Sequence, residues 1–436
     1  MPNEELKRTV CAAIDANAEK IIEIGETIWK NPEPGYREFK TAKLAADTFR
    51  SLGLPVKEGL GITGVRADMK LGGPGPVIAV LGEMDSLILP THPQCDPATG
   101  AVHACGHNAS MAGLLGAAIG LADAGIAGRM SGRIAFIATP AEECIEIGDR
   151  LQMIREKKIA SLGGKGELIR RGVFDDVGLA FMLHASGGYS CCRHNGFITK
   201  KVTFRGVACH AASPGGGVNA LHAMTLAQNA VGLLRERWAG MNPTVRIHGI
   251  VTAGGDVVNI IPDTACMEFL LRADTIDTLK VLHREFDRAM RGAALAVGAG
   301  VKVETIPGYM PQYDDEELEG LYCDAIRELD PETPYRGKRF LCSSTDMGDL
   351  STIMPTLHGY AAGSAGTGHG VTFHIADPQR AYVTNAKILA CIAVDLMAGK
   401  AECAARIAGK REGKLSVAEY IALADSLSAA TCADPE

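Results

Sequence analysis

A thiol and two imidazoles stand within five positions of the chain, in His103-Ala104-Cys105-Gly106-His107. An apolar run from Met111 to Ala127 follows almost directly and predicts a helix. Three soft or borderline ligands at one loop–helix junction favour a transition-metal site. Cys105 and His107 are two positions apart, so both side chains can point the same way from an extended or tightly turned loop. The alternative is a buried thiol with two hydrogen-bonded histidines in a turn, because short Cys/His clusters also occur by chance.

Length and composition indicate a large globular protein without an obvious polyanionic or lipid partner. The chain has 436 residues, which predicts at least two domains. A net charge of −7 argues against nucleic-acid binding, and no apolar stretch reaches transmembrane length. The hydrophilic N-terminus lacks a signal-peptide core, and 13 cysteines, an odd number, argue against a disulfide framework. We therefore expect a reduced, cytoplasmic enzyme that acts on a small molecule, with no membrane and no nucleic-acid partner.

Alternating strand and helix patterns predict an α/β architecture for residues 1–190 and 313–436. The continuously apolar runs Pro76–Gly82 and Gly132–Ala138 are typical of strands buried on both faces. The helical patterns cover Glu4–Lys30, Thr41–Leu52 and Arg380–Ala398. Residues 197–312 differ, because their patterns follow the order βαββαβ, which suits a compact sheet with helices on one face. They are predicted to form an inserted α+β domain.

Polar side chains follow several of the apolar strands. Glu142 and Glu143 come directly after Gly132–Ala138, at the carboxyl end of a strand, where α/β enzymes place their sites. Metal-assisted hydrolysis needs one carboxylate to bind the metal and another to accept a proton from water. A solvated acidic helix start explains the pair equally well when it is taken alone. His184 and Asp85 end two further apolar runs, and Asp85 is suited either to orienting a ligand imidazole or to capping a turn.

In these residues the chain resembles the M20 metallopeptidase family, most closely its amidohydrolase branch of aminoacylase-, auxin-conjugate- and aminobenzoyl-glutamate-hydrolase-like proteins. The resemblance extends from about Ile28 to Leu396. Asn108, in place of the Asp of many relatives, places it nearer the aminobenzoyl-glutamate group, while Glu146 and Asp149 stand where small residues are common. The matching segments are Trp29–Glu33, Glu83–Ser86, His103–His107, Pro140–Glu143, Gly172–Asp176, His184, Cys209–Ala212, Val258–Asp263, Ser344–Asp349 and His369–Phe373.

The resemblance implies a mixed-sheet di-metal hydrolase domain with an inserted dimerisation domain. It implies one or two divalent ions per subunit, Mn or Zn, with Glu142 as general base and Asp85 as an orienting residue. We prefer His369 over His374 as the last ligand because it follows the glycine-rich loop 363–368. It also implies a homodimer in which His210 and Asn259 reach the partner's site to bind substrate and stabilise the oxyanion. The implied metal ligands are Cys105, His107, Glu143, His184 and His369.

We therefore predict a metal-dependent hydrolase that cleaves a C–N bond of a small acylated or aromatic amine. One alternative is hydrolytic deamination of an aromatic amine, as in 5-nitroanthranilate aminohydrolase, where water attacks a ring carbon. An alternative of another class is a non-catalytic dimeric binding protein. The complete ligand set with Glu142 argues against that alternative, since a degenerate site would normally have lost one of these residues.

Overall fold

Helices and strands alternate along most of the chain, which a computed structural model describes for residues 3–428 and 430–433. A π-helical turn, Gln379–Thr384, precedes the long C-terminal core helix. The α-helices are α1 (Glu4–Ala16), α2 (Ala18–Lys30), α3 (Phe39–Ser51), α4 (His107–Asp123), α5 (Ile147–Arg155), α6 (Gly164–Arg170), α7 (Ala220–Met241), α8 (Ile276–Ala296), α9 (Glu316–Leu329), α10 (Met347–Ile353), α11 (Asn385–Met397), α12 (Glu402–Gly409) and α13 (Val417–Ser426). The strands are β1 (Val56–Leu60), β2 (Gly64–Lys70), β3 (Gly73–Glu83), β4 (Leu87–Ile88), β5 (Ala101–Val102), β6 (Ser131–Thr139), β7 (Leu179–Ala185), β8 (Ser190–His194), β9 (Gly196–Arg205), β10 (Cys209–His210), β11 (Arg246–Ala253), β12 (Ile260–Ile261), β13 (Thr264–Ala273), β14 (Gly300–Pro307), β15 (Lys338–Leu341), β16 (Thr356–Ala361), β17 (Ser364–Ala365), β18 (His374–Ile375) and β19 (Ala430–Ala433).

The first of two compact units comprises residues 3–193, 313–340 and 349–417. Its core is a mixed eight-stranded sheet in the order β1-β2-β6-β3-β7-β16-β8-β15. The central neighbours β6, β3, β7 and β16 run parallel to one another. Their carboxyl ends therefore lie at one edge of the sheet, and this edge carries Glu83, the loop after Thr139, and His184.

Helix α4 is the central helix of this unit and is buried from His107 to Leu121. A helix that is apolar on all sides needs neighbours on all sides, and α4 packs on α1, α2, α11 and β3. Small residues allow this close approach, since a Cβ added at Gly120 would lie 2.2 Å from Ile14 Cγ1. Because α4 begins at His107, this packing also fixes the position of the motif at 103–107.

The second unit comprises residues 194–312, 341–348 and the described residues from 418 onward. Its antiparallel sheet has the order β11-β13-β9-β14-β19, and α7 and α8 both pack against it. Buried and more exposed side chains alternate along β13, so one face of the strand turns toward these helices. The chain order β9-α7-β11-β13-α8-β14 is the predicted βαββαβ pattern, with the two-residue strands β10 and β12 added.

The predicted fold class, an α/β mixed-sheet domain with an inserted α+β dimerisation domain, is confirmed. Details differ at the ends of elements. The helical pattern over Glu4–Lys30 is divided at Asn17, whose amide donates to the carbonyl of Ala13 and to Asp123. Strand β19 pairs with β14, so part of the predicted range 313–436 clusters with the second unit. Among the described residues, no helix is both long and apolar enough to cross a membrane.

Candidate metal centre

The motif loop 103–107 is shaped by a tight turn that only glycine fits. Gly106 has a φ of +81°, and a Cβ there would lie 2.4 Å from Ala185 Cβ. The turn places His107 at the start of α4 and keeps Cys105 half-buried next to the end of β7. The loop therefore presents a thiol and an imidazole side by side, as their spacing predicted.

Cys105 is the centre of a group of potential ligand atoms. Its Sγ lies 3.2 Å from His184 Nε2 and 3.3 Å from His369 Nε2. His369 Nε2 is in turn 3.1 Å from Glu143 Oε1. Two ligand sets that share the thiol result, one with His107 and His184 and one with Glu143 and His369, each with its donor atoms within 4.8 Å of one another.

The second imidazole of the motif is oriented by Asp85. His107 Nδ1 lies 2.8 Å from the Asp85 carbonyl oxygen and 3.2 Å from its Oδ1, so Nδ1 carries the hydrogen. The other carboxylate oxygen of Asp85 accepts a hydrogen bond from the backbone N–H of Glu143 at 2.8 Å. Burial raises the pKa of Asp85, but the hydrogen bond and charge of His107, the Glu143 N–H and the charge of Arg150 together lower it to about 2. Asp85 thus links two of the implied ligands and stays ionised.

The electrostatics of the cluster favour positive charge near His107 Nε2. Burial lowers the pKa of His107, yet the neighbouring Cys105 and Glu83 raise it well above its usual value. Burial and the nearby Glu143 carboxylate raise the pKa of the Cys105 thiol. Such a site stabilises a cation and makes the free thiolate costly until a cation arrives.

The loop that carries Glu142 and Glu143 is held by residues not identified from the sequence. Ala141 has a φ of +51°, and its N–H donates to buried Glu38 at 2.8 Å. Arg150, also buried, donates to the carbonyl oxygens of Ala141 and Glu143. Burial raises the pKa of Glu38 to about 7. The bond between Ala141 and Glu38 joins residues 103 positions apart, and no periodicity of the sequence signals it or the contacts of Arg150.

The donor set fits a transition metal. Ligands at about 2.0–2.3 Å from one ion are about 3–3.7 Å from each other, which matches the 3.1–3.3 Å separations around Cys105 and His369. His107 Nε2 is buried and completes no hydrogen bond with the described residues. Its Nδ1–H is already bonded to Asp85, so Nε2 is the nitrogen left for a metal, the usual arrangement of a histidine ligand. Thiolate and imidazole together suit zinc, whereas the added carboxylate also suits manganese.

His374, the alternative last ligand, belongs to none of these sets. Its Nδ1 contacts the carbonyl oxygen of Thr372, and the residue pairs with Ala365 in the short ribbon of β17 and β18. His369 instead has a left-handed backbone, with a φ of +60°, and its N–H donates to the carbonyl of Ala104. This bond places His369 beside the motif loop.

His210 and Asn259 lie together in the second unit. Strand β10 pairs with β12, with His210 opposite Ile260, and the N–H of Ala211 donates to the Asn259 carbonyl. Both side chains are exposed, and His210 Nδ1 accepts a hydrogen bond from Ala212. The structure thus brings the two predicted substrate-binding residues to one short ribbon.

Comparison with known proteins identifies relatives over most of the chain. A model of the peptidase dimerisation domain matches residues 192–297. The Xaa-Arg dipeptidase of Mus musculus is 31% identical over 385 residues, which cover 82% of this chain and 80% of the mouse protein. One component of the p-aminobenzoyl-glutamate hydrolase of Escherichia coli is 30% identical over 304 residues, 67% of this chain and 59% of that protein.

A solved structure has the same fold. The crystal structure of a dinuclear metal-binding peptidase of the M20 family from Bacillus subtilis matches with a TM-score of 0.67 at 18% identity. The match covers 88% of this chain and 99% of that one. At this identity the likeness concerns the fold, whereas the mouse relative carries the assignment of the family.

Proposed function

Because the chain belongs to the M20 metallopeptidase family and is an enzyme, we propose that it hydrolyses a C–N bond in a small acylated or aromatic amine with the help of bound divalent metal. The observation that carries the proposal is the position of the Cys105 thiol, 3.2–3.3 Å from imidazole nitrogens of two other segments. The proposed ligands are Cys105, His107, Glu143, His184 and His369, which hold one or two ions of Mn or Zn.

Glu142 is the proposed general base. When bound, the metal supplies Lewis-acid activation of water and of the substrate oxygen. Glu142 accepts the proton of the attacking water and returns it to the nitrogen that leaves, so one carboxylate serves both halves of the reaction. Its Oε2 lies 3.9 Å from His107 Nε2, beside the ligands. Asp85 holds His107 and the Glu143 backbone in position for this step through hydrogen bonds to both.

Substrate binding is assigned to the second unit of a partner chain. In the proposed homodimer, joined through residues 197–312, His210 and Asn259 hold the substrate and His210 donates to the oxygen that gains negative charge. The match of residues 192–297 to a dimerisation domain supports this arrangement. A cytoplasmic location accords with a thiol as a central metal ligand, because thiols stay reduced there.

The proposed substrate class rests on the reactions of two relatives and on the hydrolytic chemistry proposed for the site. A hydrolase of p-aminobenzoyl-glutamate and a dipeptidase both act on an acylated amine. A turnover screen of acyl-amino acids, dipeptides, aryl-glutamates and anthranilates identifies the substrate. Release of ammonia from an anthranilate, without amide hydrolysis, would replace the proposed reaction with aromatic deamination.

The metal assignment is tested with Cys105→Ala and with Cys95→Ala, a matched half-buried thiol of the same unit. We expect Cys105→Ala to lose metal affinity and turnover, because a thiolate ligand shared by both sets is removed. Cys95→Ala should retain both. Metal content after dialysis, measured by elemental analysis, is the readout. Unchanged stoichiometry and affinity in Cys105→Ala would contradict the proposal.

A further inference from the structure

Glu83 is a buried carboxylate at the site edge that the proposed ligand set does not use. It ends β3, two residues before Asp85, and its side chain is fully buried. Its Oε1 accepts a hydrogen bond from Lys165 Nζ at 2.6 Å, and this lysine is fully buried as well. Its Oε2 is buried and completes no hydrogen bond with the described residues. Leaving a buried polar atom unsatisfied costs about 1–3 kcal/mol, and more for a charged group.

This oxygen of Glu83 faces a nitrogen of His107 that also completes no hydrogen bond with the described residues. Glu83 Oε2 lies 3.3 Å from His107 Nε2, the atom that His107 offers as a ligand. Two donors of one ion at about 2.0–2.2 Å are separated by about 3–3.6 Å. The 3.3 Å separation therefore fits a shared cation. A carboxylate oxygen of Glu142 also lies within 4.8 Å of a Glu83 oxygen, which adds negative charge on the same side.

We propose, resting on the metal-dependent function above, that Glu83 is a further ligand of the ion bound by His107. Lys165 is then a positioning residue, because it holds Oε1 and leaves only Oε2 for the metal. A purely structural ion pair accounts less well for these contacts. Such a pair offsets its desolvation only when the remaining lone pairs are satisfied, and in the Glu83–Lys165 pair Oε2 completes no hydrogen bond with the described residues.

The local charge supports the same assignment. Glu83, Asp85, Glu142 and Glu143 are all buried, and the Cys105 thiolate adds a fifth negative charge when a metal is bound. Lys165 and Arg150 are the buried cations described around them. The acidic groups thus outnumber these two cations in a poorly solvating environment. Divalent ions held on the Glu83 side as well as on the Glu143 side compensate for this excess.

The test compares Co²⁺ binding by wild-type protein, Glu83→Gln and Glu167→Gln under reducing conditions. Glu167 is also a buried acid near Lys165, but its Oε2 accepts from the backbone N–H groups of Ala160 and Ser161 and its Oε1 accepts from Arg171. We expect Glu83→Gln to bind one ion at least tenfold more weakly, since even outer-shell partners of metal ligands contribute about 10–100-fold in affinity. Its visible Co²⁺ bands should also shift, because the coordination changes. Glu167→Gln should match wild type.

Lys165→Met should weaken the same ion by a smaller factor, because Glu83 remains but is no longer held. If Glu83→Gln does not fold, Glu83→Asp replaces it, since the shorter side chain withdraws the oxygen and should also weaken the ion. Wild-type affinity, stoichiometry and spectrum in the Glu83 variant would overturn the inference. If the Glu83 variant behaves like wild type while Cys105→Ala loses metal, this inference falls but the proposed function still stands. Absence of Co²⁺ binding by the wild-type protein would overturn both.

Discussion

The two units hold their predicted functional residues in contrasting ways. In the first unit, Asp85 and His107 are fully buried, and the Asp85 carboxylate accepts from His107 Nδ1 and from the backbone N–H of Glu143. In the second unit, His210 and Asn259 are exposed on a ribbon of two short strands. Val258, next to Asn259, is completely exposed.

The difference indicates which parts of the proposed site are preorganised within one chain. Buried charges need fixed partners, because an unpaired charge inside a protein is costly. The first unit fixes Asp85 and His107 through its own hydrogen bonds and so has the proposed metal ligands in place. The exposed ribbon has no comparable support, which agrees with a surface whose residues act after another chain covers them. The following experiments test whether the first unit acts within its own chain and the second unit acts in the site of a partner chain.

The largest expected effect concerns the general base of the first unit. Glu142→Gln keeps the shape of the side chain but cannot accept a proton, so turnover should fall by about 10²–10⁴-fold. Metal content should stay at the wild-type value, because Glu142 is not a proposed ligand. Turnover is measured on the best substrate of the screen, and metal by elemental analysis.

Glu146→Gln is the matched control for this variant. Glu146 follows in the same loop but forms an ion pair with Arg37 and is partly exposed. It should retain nearly wild-type turnover. A loss of less than about tenfold in Glu142→Gln would remove Glu142 from the role of base.

The next effect tests whether the second unit acts in the partner's site. His210→Ala should lower turnover by about 10²–10³-fold if His210 stabilises the oxyanion. Mixing this variant with Glu142→Gln should restore about a quarter of wild-type turnover, because half of randomly exchanged dimers are mixed and each contains one intact site. Exchange of chains is verified by mass spectrometry of differently tagged protein.

A second mixture serves as the control. Cys105→Ala and Glu142→Gln both alter the first unit, so each site of their mixed dimer keeps one lesion and activity should stay absent. If the His210→Ala mixture also stays inactive after verified exchange, His210 acts in its own chain or outside the reaction. The contrast between the units would then lose its functional meaning.

The sequence predicted the residues whose signals are local. The motif at 103–107 precedes an apolar helix, and Glu142 and Glu143 follow an apolar strand, so their places at the sheet edge could be inferred. Arg150 and Lys165 could not be assigned, because they lie in the short helices α5 and α6 and their contacts depend on tertiary packing. Glu83 had one available signal, since it stands two positions before Asp85 at a strand end and alternate strand residues face the same side.

The smallest expected effect concerns a buried charge that has a structural role. In the second unit, Lys200 is fully buried and donates to Asp287 at 2.6 Å and to Thr305 at 2.7 Å. Burial lowers its pKa from 10.5 to about 8, even though Asp287 acts in the opposite direction. Between these pH values the unfolded chain binds the proton more tightly than the folded chain. The contribution of Lys200 to the free energy of unfolding should therefore rise with pH across this window, by at most about 3 kcal/mol.

Urea unfolding from pH 7 to pH 10.5 measures this contribution against Lys200→Met, which cannot titrate at this position. The variant is also expected to be less stable at every pH, because Asp287 loses its partner, so the informative quantity is the difference between the two slopes. Lys201→Met, an exposed neighbour on β9, should keep the wild-type slope. Equal slopes for wild type and Lys200→Met would show that Lys200 titrates alike in the folded and unfolded chains. Turnover at pH 7 should be retained where the variant is folded, because this charge supports the sheet and not the metal centre.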